Sequence, residues 1–360
     1  MKISIITPTV LGDFPVWEEP HRHILDYVPM VIEQQDFDFD QIEVVIIDAL
    51  WRWRKDYFAS HSYPFEIIHA PPAASWVIKN RKTNHAVMRN TGLALASGEL
   101  IFLVDDTLSF DSNMLNAIWA EYKAGHCISP LVEWRCGEKY SGANVDWRVD
   151  WLLEQSITRF ETSAHENGAL KPIGFGIISY PLEAALDLGG YDELLDAGLQ
   201  HVDTEFGVRL ASFSSYSLTI DARYWCRHEA HELPDPRVVV SYDPVTHTSS
   251  MFHGAIHCNR QIYEIRKRIG FPKVVNESFP PRELYDAVRE CPFFVKIDER
   301  PIDTDGAPPN QSCAASNLPC KVPHLAVKRD MREVDDWVKN LRTFNLRSWR
   351  KTVREQVGIE

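Results

Sequence analysis

The sequence predicts an α/β protein, a doubly wound and mainly parallel sheet followed by a mainly helical C-terminal extension. Three observations lead there. Apolar runs too short for helices, at Lys2–Thr7, Glu43–Ile47 and Leu100–Val104, alternate with stretches of helical periodicity. The run Leu100–Val104 is continuously apolar, the pattern of a parallel strand covered on both faces. The alternation persists to about residue 233, after which Pro234, Pro236 and Pro244 mark a connection and mainly helical patterns follow. The expected division is therefore a catalytic-type domain over 1–235 and a helical extension over 236–360.

In chain order, Lys2–Thr7 is a β-branched strand that Thr7-Pro8-Thr9 ends in a turn. A helix is expected from about His21 to Gln35, then the strand Glu43–Ile47 stopping at Asp48, then the strand Phe65–Ile68. Pro71-Pro72 opens a loop carrying Lys79, Arg81 and Lys82. These cations precede a helix N-terminus, where unpaired N–H groups and the dipole favour a phosphate. That helix is read from a Thr83/Asn84 cap and from Ala86, Val87, Asn90, Leu93 and Ala94 at three- and four-residue spacing, and Gly98 breaks it. The strand Leu100–Val104 then ends on Asp105 and Asp106.

Further on, Asp111 is expected to cap a helix reaching Tyr122, with Leu115, Ile118 and Tyr122 inward. Of Trp134, Trp147 and Trp151, at least two are read as core rather than as stacking platforms for sugars or bases. Phe175–Tyr180 reads as a strand, the helix from Leu182 stops at Gly189-Gly190, and Asp203–Leu210 opens another helix. Strands at Tyr216–Ile220 and Tyr224–Arg227 lead to His228 and His231. Helices are expected at about Ile256–Arg268, Pro281–Arg289 and Arg332–Gln356, with a Pro/Asn/Ser-rich loop over Pro301–Pro323.

Composition narrows the class. With 360 residues, 44% hydrophobic and 25% charged, the chain is expected to bury a large core. A net charge of −13 argues against a surface that grips nucleic acid throughout. The last forty residues are the exception, with an excess of four positive charges. Thr7, Pro8, Thr9 and Asp13 interrupt the first apolar run, which reads as a strand and not a signal peptide, and no window is apolar enough to span a membrane. Seven cysteines without a secretory signal point to reduced thiols and a cytoplasmic setting. Cys291, Cys313, Cys320 and His324 match no standard zinc spacing, so scattered thiols are favoured over a structural zinc site.

Two adjacent carboxylates at the end of a buried strand repel unless a cation offsets them, and a hard divalent ion sharing its shell with phosphates is the natural partner. The residues alone leave open an acidic turn in which Asp106 merely caps the next helix. The ordered set Arg89-Asn90-Thr91-Gly92, Ala96-Ser97-Gly98-Glu99, Asp105-Asp106, Gly189-Gly190-Tyr191-Asp192-Glu193 and Asp203-Thr204-Glu205-Phe206-Gly207-Val208-Arg209 resembles family 2 glycosyltransferases of the GT-A fold. The resemblance covers about residues 1 to 230.

The resemblance implies a GT-A fold, a doubly wound, Rossmann-like mixed sheet, and an inverting transfer of a hexosyl group from a nucleoside diphosphate sugar, with UDP as nucleotide. Thr7, Pro8 and Thr9 would lie near the nucleotide, Asp48 at the base, and Lys82 and Arg89 at the phosphates. Asp106 would bind Mn²⁺ or Mg²⁺, Asp105 the metal or the ribose, and His228 would be a third ligand, ahead of His231. Asp203 stands at the catalytic base position. The chain departs from the family where Ala49-Leu50-Trp51-Arg52-Trp53-Arg54 replaces an Asp-Gly-Ser loop, leaving Trp51 or Trp53 to cover the base, and where Thr107 and Val202 replace acidic residues. Those last two departures favour the alternative, a non-catalytic nucleotide- or glycan-binding protein on the same fold. A nucleotidyltransferase is disfavoured because Thr7–Phe14 lacks a Gly-rich basic loop. The acceptor stays open among glycans, lipid-linked sugars, proteins, small molecules and hydroxylated nucleic-acid bases.

The segment Trp337–Arg354 holds six cations and no acid, with Val338, Leu341 and Trp349 along one helical side. The favoured reading packs that side on the acidic body; an anionic membrane surface and nucleic acid are the alternatives.

Overall fold

The computed structural model describes residues 2–9, 24–49, 51–72, 85–134, 144–145, 147–162, 177–197, 201–228, 249–274, 295–297, 326–328 and 345–359. Its centre is a mixed five-stranded sheet. The parallel strands are β1 (Ile3–Thr9), β2 (Ile42–Asp48), β3 (Glu66–Ala70) and β4 (Leu100–Leu103). Smaller strands follow: β5 (Leu108–Phe110), β6 (His126–Ile128), β7 (Leu131–Trp134), β8 (Asn144–Val145) and β9 (Arg159–Thr162). After them come β10 (Ile178–Pro181), β11 (Ser217–Asp221), β12 (Trp225–His228), β13 (Val295–Ile297) and β14 (Ala326–Lys328). The central order is β10-β4-β1-β2-β3, with β10 antiparallel to β4.

The chain runs from β1 outward through β2 to β3, then returns to place β4 on the other side of β1. This reversal makes the carboxyl ends of β1 and β4 a topological switch point, where open α/β sheets hold ligands. Thr7-Pro8-Thr9 and Asp105-Asp106 stand at those two ends.

The helices are α1 (Ile24–Glu33), α2 (Trp51–Arg54), α3 (His85–Leu95), α4 (Met114–Lys123), α5 (Trp147–Glu154), α6 (Leu182–Asp187), α7 (Val202–Phe213), α8 (Ser249–Arg268) and α9 (Leu346–Val357). Alternation along each strand sorts them onto two faces. Ile3, Ile5, Val44, Ile46 and Phe102 pack with Leu25 and Val28 of α1 and with Leu115 and Ile118 of α4. Ile6, Val45, Ile47 and Leu103 pack with α3, α6 and α7, and Ile262 of α8 and Leu346, Trp349 and Val353 of α9 join that same core. The described helices of the C-terminal part thus complete one face of the sheet.

The structure amends several expectations. Asp111 does not cap α4: Asn113 occupies that position, the Asp111 carbonyl accepts from Met114 N at 3.0 Å, and its carboxylate pairs with Arg227 at 3.1 Å. A short helix, α2, forms where the sequence suggests only a loop. Trp151 is half-buried and meets Phe160 edge-on at 4.8 Å, in agreement with a core role; the side chains of Trp134 and Trp147 lie outside the described residues. The predicted helix Pro281–Arg289, the loop Pro301–Pro323 and the set Cys291, Cys313, Cys320 and His324 lie outside them too. Cys127 and Cys226 are free, buried thiols. Among the described residues no helix is long and apolar enough to cross a membrane.

The basic tail is bound to the body. Arg347 reaches Glu183 and Asp187, both at 2.7 Å, while Arg354 Nη1 donates to the Leu95 carbonyl at 2.6 Å and Arg350 to the Ala94 carbonyl at 3.3 Å and to that of Ala96. Two arginines therefore satisfy the carbonyls that end α3, where a helix leaves acceptors unmatched and the dipole favours cations. For α9 this agrees with the favoured reading, a helix packed on the body with Arg347, Arg350 and Arg354 engaged there.

Candidate active site

The motif residues build the walls before any chemistry is considered. In the first motif, Gly92 lies against β1 so closely that a Cβ would strike Ile6. At Gly98 an added Cβ would sit 2.7 Å from the Ser4 backbone nitrogen. The Ser97–Gly98 turn is locked by the buried Glu43, which accepts from Ser97 Oγ at 2.8 Å and from the Ser4 hydroxyl. Asn90 crosses to the Gly-Gly-Tyr-Asp-Glu segment, donating to the Tyr191 carbonyl at 3.0 Å and to Glu193 at 2.8 Å, and accepting from Tyr191 N at 2.8 Å. Gly189 and Gly190 take φ of 73° and 78°, the left-handed region that a helix stop needs. Buried Arg209 reaches the carbonyls of Leu188 and Gly190, each at 2.7 Å, and pairs with Glu205 at 2.5 Å.

This scaffold brings α3, the end of β4 and the start of α7 together. Arg89 of α3 forms an ion pair with Asp203 in the first turn of α7 and lies 5.3 Å from the centre of the Tyr191 ring. Asp203 is not the helix cap, since His201 precedes the helix with φ 65°. Asp105 feels both the Arg89 guanidinium and the Asp203 carboxylate; burial raises its pKa, the Arg89 charge opposes the rise and the Asp203 charge adds to it. Burial likewise raises the pKa of Asp203 against the pull of Arg89.

Asp106 has a different neighbourhood. Burial pushes its pKa up to about 7, the Asp105 charge adds to this, and the Thr9 hydroxyl and the Arg54 charge oppose it. Among the described residues no cation stands at ion-pair distance from Asp106. The two neighbouring carboxylates thus feel different charges, Asp105 those of Arg89 and Asp203, and Asp106 those of Asp105 and Arg54.

Other expected site residues fall differently. Asp48 has no exposure and pairs with Arg54 at 2.6 Å and His69 at 3.0 Å. Thr7 and Thr9 are buried in β1 and Pro8 is half-buried. His228 Nε2 shares a hydrogen bond with the Thr107 hydroxyl at 2.9 Å. Among the described residues no three carboxylate, imidazole or thiol groups converge to hold a metal ion, so Asp105, Asp106 and His228 are not assembled into one ligand set. Lys79, Arg81, Lys82 and His231 lie outside the described residues, as does the side chain of Trp53; Trp51 opens α2 half-buried.

A phosphate at the N-terminus of α3 is a further correction. The Asp196 carboxylate already accepts from Ala86 N at 2.9 Å and Val87 N at 3.0 Å, filling the anion position with a side chain 110 residues away. Asp196→Ala is expected to lower stability by about 1–2 kcal/mol, the range of a lost cap, as a shift in the urea midpoint. An unchanged midpoint would show that the cap contributes nothing.

No protein-family model and no curated protein sequence matches the chain. Among solved structures it is similar to S. aureus TarS residues 1–349 in complex with UDP-GlcNAc, at 13% identity over 99% of this chain and 92% of that one, with a TM-score of 0.45. The same fragment with UDP gives 12% identity over 99% and 92%, with a TM-score of 0.43. A longer S. aureus TarS chain gives 13% identity and a TM-score of 0.42 over 80% of this chain, which spans about half (48%) of that longer chain.

Proposed function

We propose that the protein is an inverting, metal-dependent glycosyltransferase of the GT-A type that moves a hexosyl group from a nucleoside diphosphate sugar, with UDP as nucleotide, to an acceptor hydroxyl. The observation that carries this reading is the convergence of Asp203, Arg89 and Asp105 on one side of the switch point with Asp106 beside them. Transfer with inversion needs a base for the acceptor proton and charge stabilisation for the departing diphosphate. Asp203 takes the proton as the acceptor oxygen bonds to the anomeric carbon, and the bond to the diphosphate breaks with its electron pair leaving on the phosphate. Arg89 holds Asp203 in place. Asp105 and Asp106 offer oxygen donors that suit Mg²⁺ or Mn²⁺, which keeps few protein ligands and shares its shell with phosphates, so a third protein ligand is not required. When bound, such an ion neutralises charge on the leaving diphosphate.

The Arg89–Asp203 ion pair favours a second reading, a non-catalytic nucleotide or glycan binder, because a cation beside a carboxylate reduces its basicity. Incubation with a panel of nucleotide sugars, Mn²⁺ and a mixed acceptor pool separates the two. Nucleotide release from at least one donor is expected; binding of nucleotide without release from any donor would establish the binder.

A further inference from the structure

Where β2 ends, the chain runs through Asp48-Ala49-Leu50 into α2, whose last residue, Arg54, folds back over the strand end. Its Nη2 donates to Asp48 Oδ1 at 2.6 Å, and the other Asp48 oxygen meets His69 Nε2 at 3.0 Å. Arg54 is only 7% exposed. Its Nε–H and Nη1–H are buried with no partner among the described residues, and a guanidinium sheds no proton at any ordinary pH. Two more orphans lie close by in the sheet, the Thr7 hydroxyl and His69 Nδ1, both buried and also without a partner among the described residues. The register places Thr7 beside Ile46 and Ile46 beside His69, and Thr9 beside Asp48, so these side chains leave the sheet on one face. Buried polar groups are normally bonded, and unmatched ones gathered beside a ligand crevice signal an absent partner.

We propose that Arg54, anchored by Asp48 and His69, is a ligand-binding residue whose buried Nε–H or Nη1–H donates to an oxygen acceptor of the bound nucleotide. The end of β2 then recognises its ligand through N–H donors and not through the Asp48 carboxylate, which is consumed in holding Arg54. This rests on the nucleotide reading above. The acceptor is either a carbonyl of the base or an oxygen of the diphosphate, and three probes separate these: UDP, uridine and inorganic pyrophosphate.

Binding is measured calorimetrically, with uridine and pyrophosphate run as competitors of UDP. Arg54→Lys keeps a charge beside Asp48 but loses the planar fork, and is expected to weaken UDP binding tenfold or more at a near-normal melting temperature. A parallel loss for uridine assigns the contact to the base; a parallel loss for pyrophosphate with uridine unaffected assigns it to the phosphates. Should Arg54→Lys fold poorly, Asp48→Asn with Arg54→Gln replaces the ion pair by an amide pair without a buried charge. Wild-type affinity for UDP in either folded variant overturns the assignment, whereas a wild-type protein that binds none of the three probes overturns the nucleotide reading itself.

Discussion

Replacing Asp203 by Asn is expected to lower kcat by about 10²–10⁴-fold, the range of a lost general base, with nucleotide binding retained. Asn preserves shape and can still accept from Arg89 through its amide oxygen, so the site keeps its geometry while losing the group proposed to take the proton. The pH profile adds a second readout. Burial holds the Asp203 carboxyl above its ordinary range, and the base must be ionised to work. Activity should therefore fall on the acid side at a pH above that of an ordinary carboxylate, and this limb should vanish from the residual rate of the Asn variant. Arg89→Lys should move the limb further up, since a flexible point charge offsets the burial of Asp203 less well than the paired guanidinium. An Asn variant with the full kcat and an unchanged acid limb would remove Asp203 from the chemistry.

The sequence shows β1, α1, β2, β3, α3 and β4 in order because the strands carry apolar runs and the helices are periodic, while the four-residue α2 and three-residue β5 between and after them escape it. The two carboxylates at the end of β4 are legible for the same reason. What it hides is the pairing of distant side chains. Asp196 caps α3 across 110 positions and Glu43 locks the Ser97–Gly98 turn across 54, and no local pattern announces either. The motif residues are legible as a resemblance, but their work is not: Gly92 and Gly98 admit close approach to β1, and Asn90 and Arg209 fasten the Gly189–Gly190 turn. Strands of three or four residues, such as β5, β6 and β12, are too short for periodicity to reveal partners. Arg54 lies within a Trp- and Arg-rich stretch whose aromatic residues draw the eye; the clue to the role proposed for it is an acidic strand end followed six residues later by a cation, which only the return of α2 gives meaning.

Glu205→Ala should be the most destabilising single change at the site, with a loss of about 3–5 kcal/mol, the cost of leaving a buried charge without its partner. Glu205 and Arg209 have no exposed side-chain surface, and the guanidinium is bound twice to the carboxylate, at 2.5 and 2.8 Å. Truncation would strand that buried cation beside Phe206 with only the turn carbonyls as partners. Urea unfolding reads the effect as a lower midpoint at an unchanged slope. A companion variant, Glu205→Leu with Arg209→Met, removes both charges and should recover part of the loss, since apolar replacement of a buried pair is often neutral. Recovery should stay incomplete. Arg209 also donates to the Leu188 and Gly190 carbonyls, and Met leaves both acceptors unmatched beside a left-handed Gly190. Since Asn90 and Tyr191 meet at that same turn, the double variant should also lose activity beyond its loss of stability, because the turn sets where Arg89 stacks on Tyr191 and so where it presents Asp203. A loss below about 1 kcal/mol for Glu205→Ala would class the pair with exposed salt bridges and remove it as the brace of the turn beside Asp203.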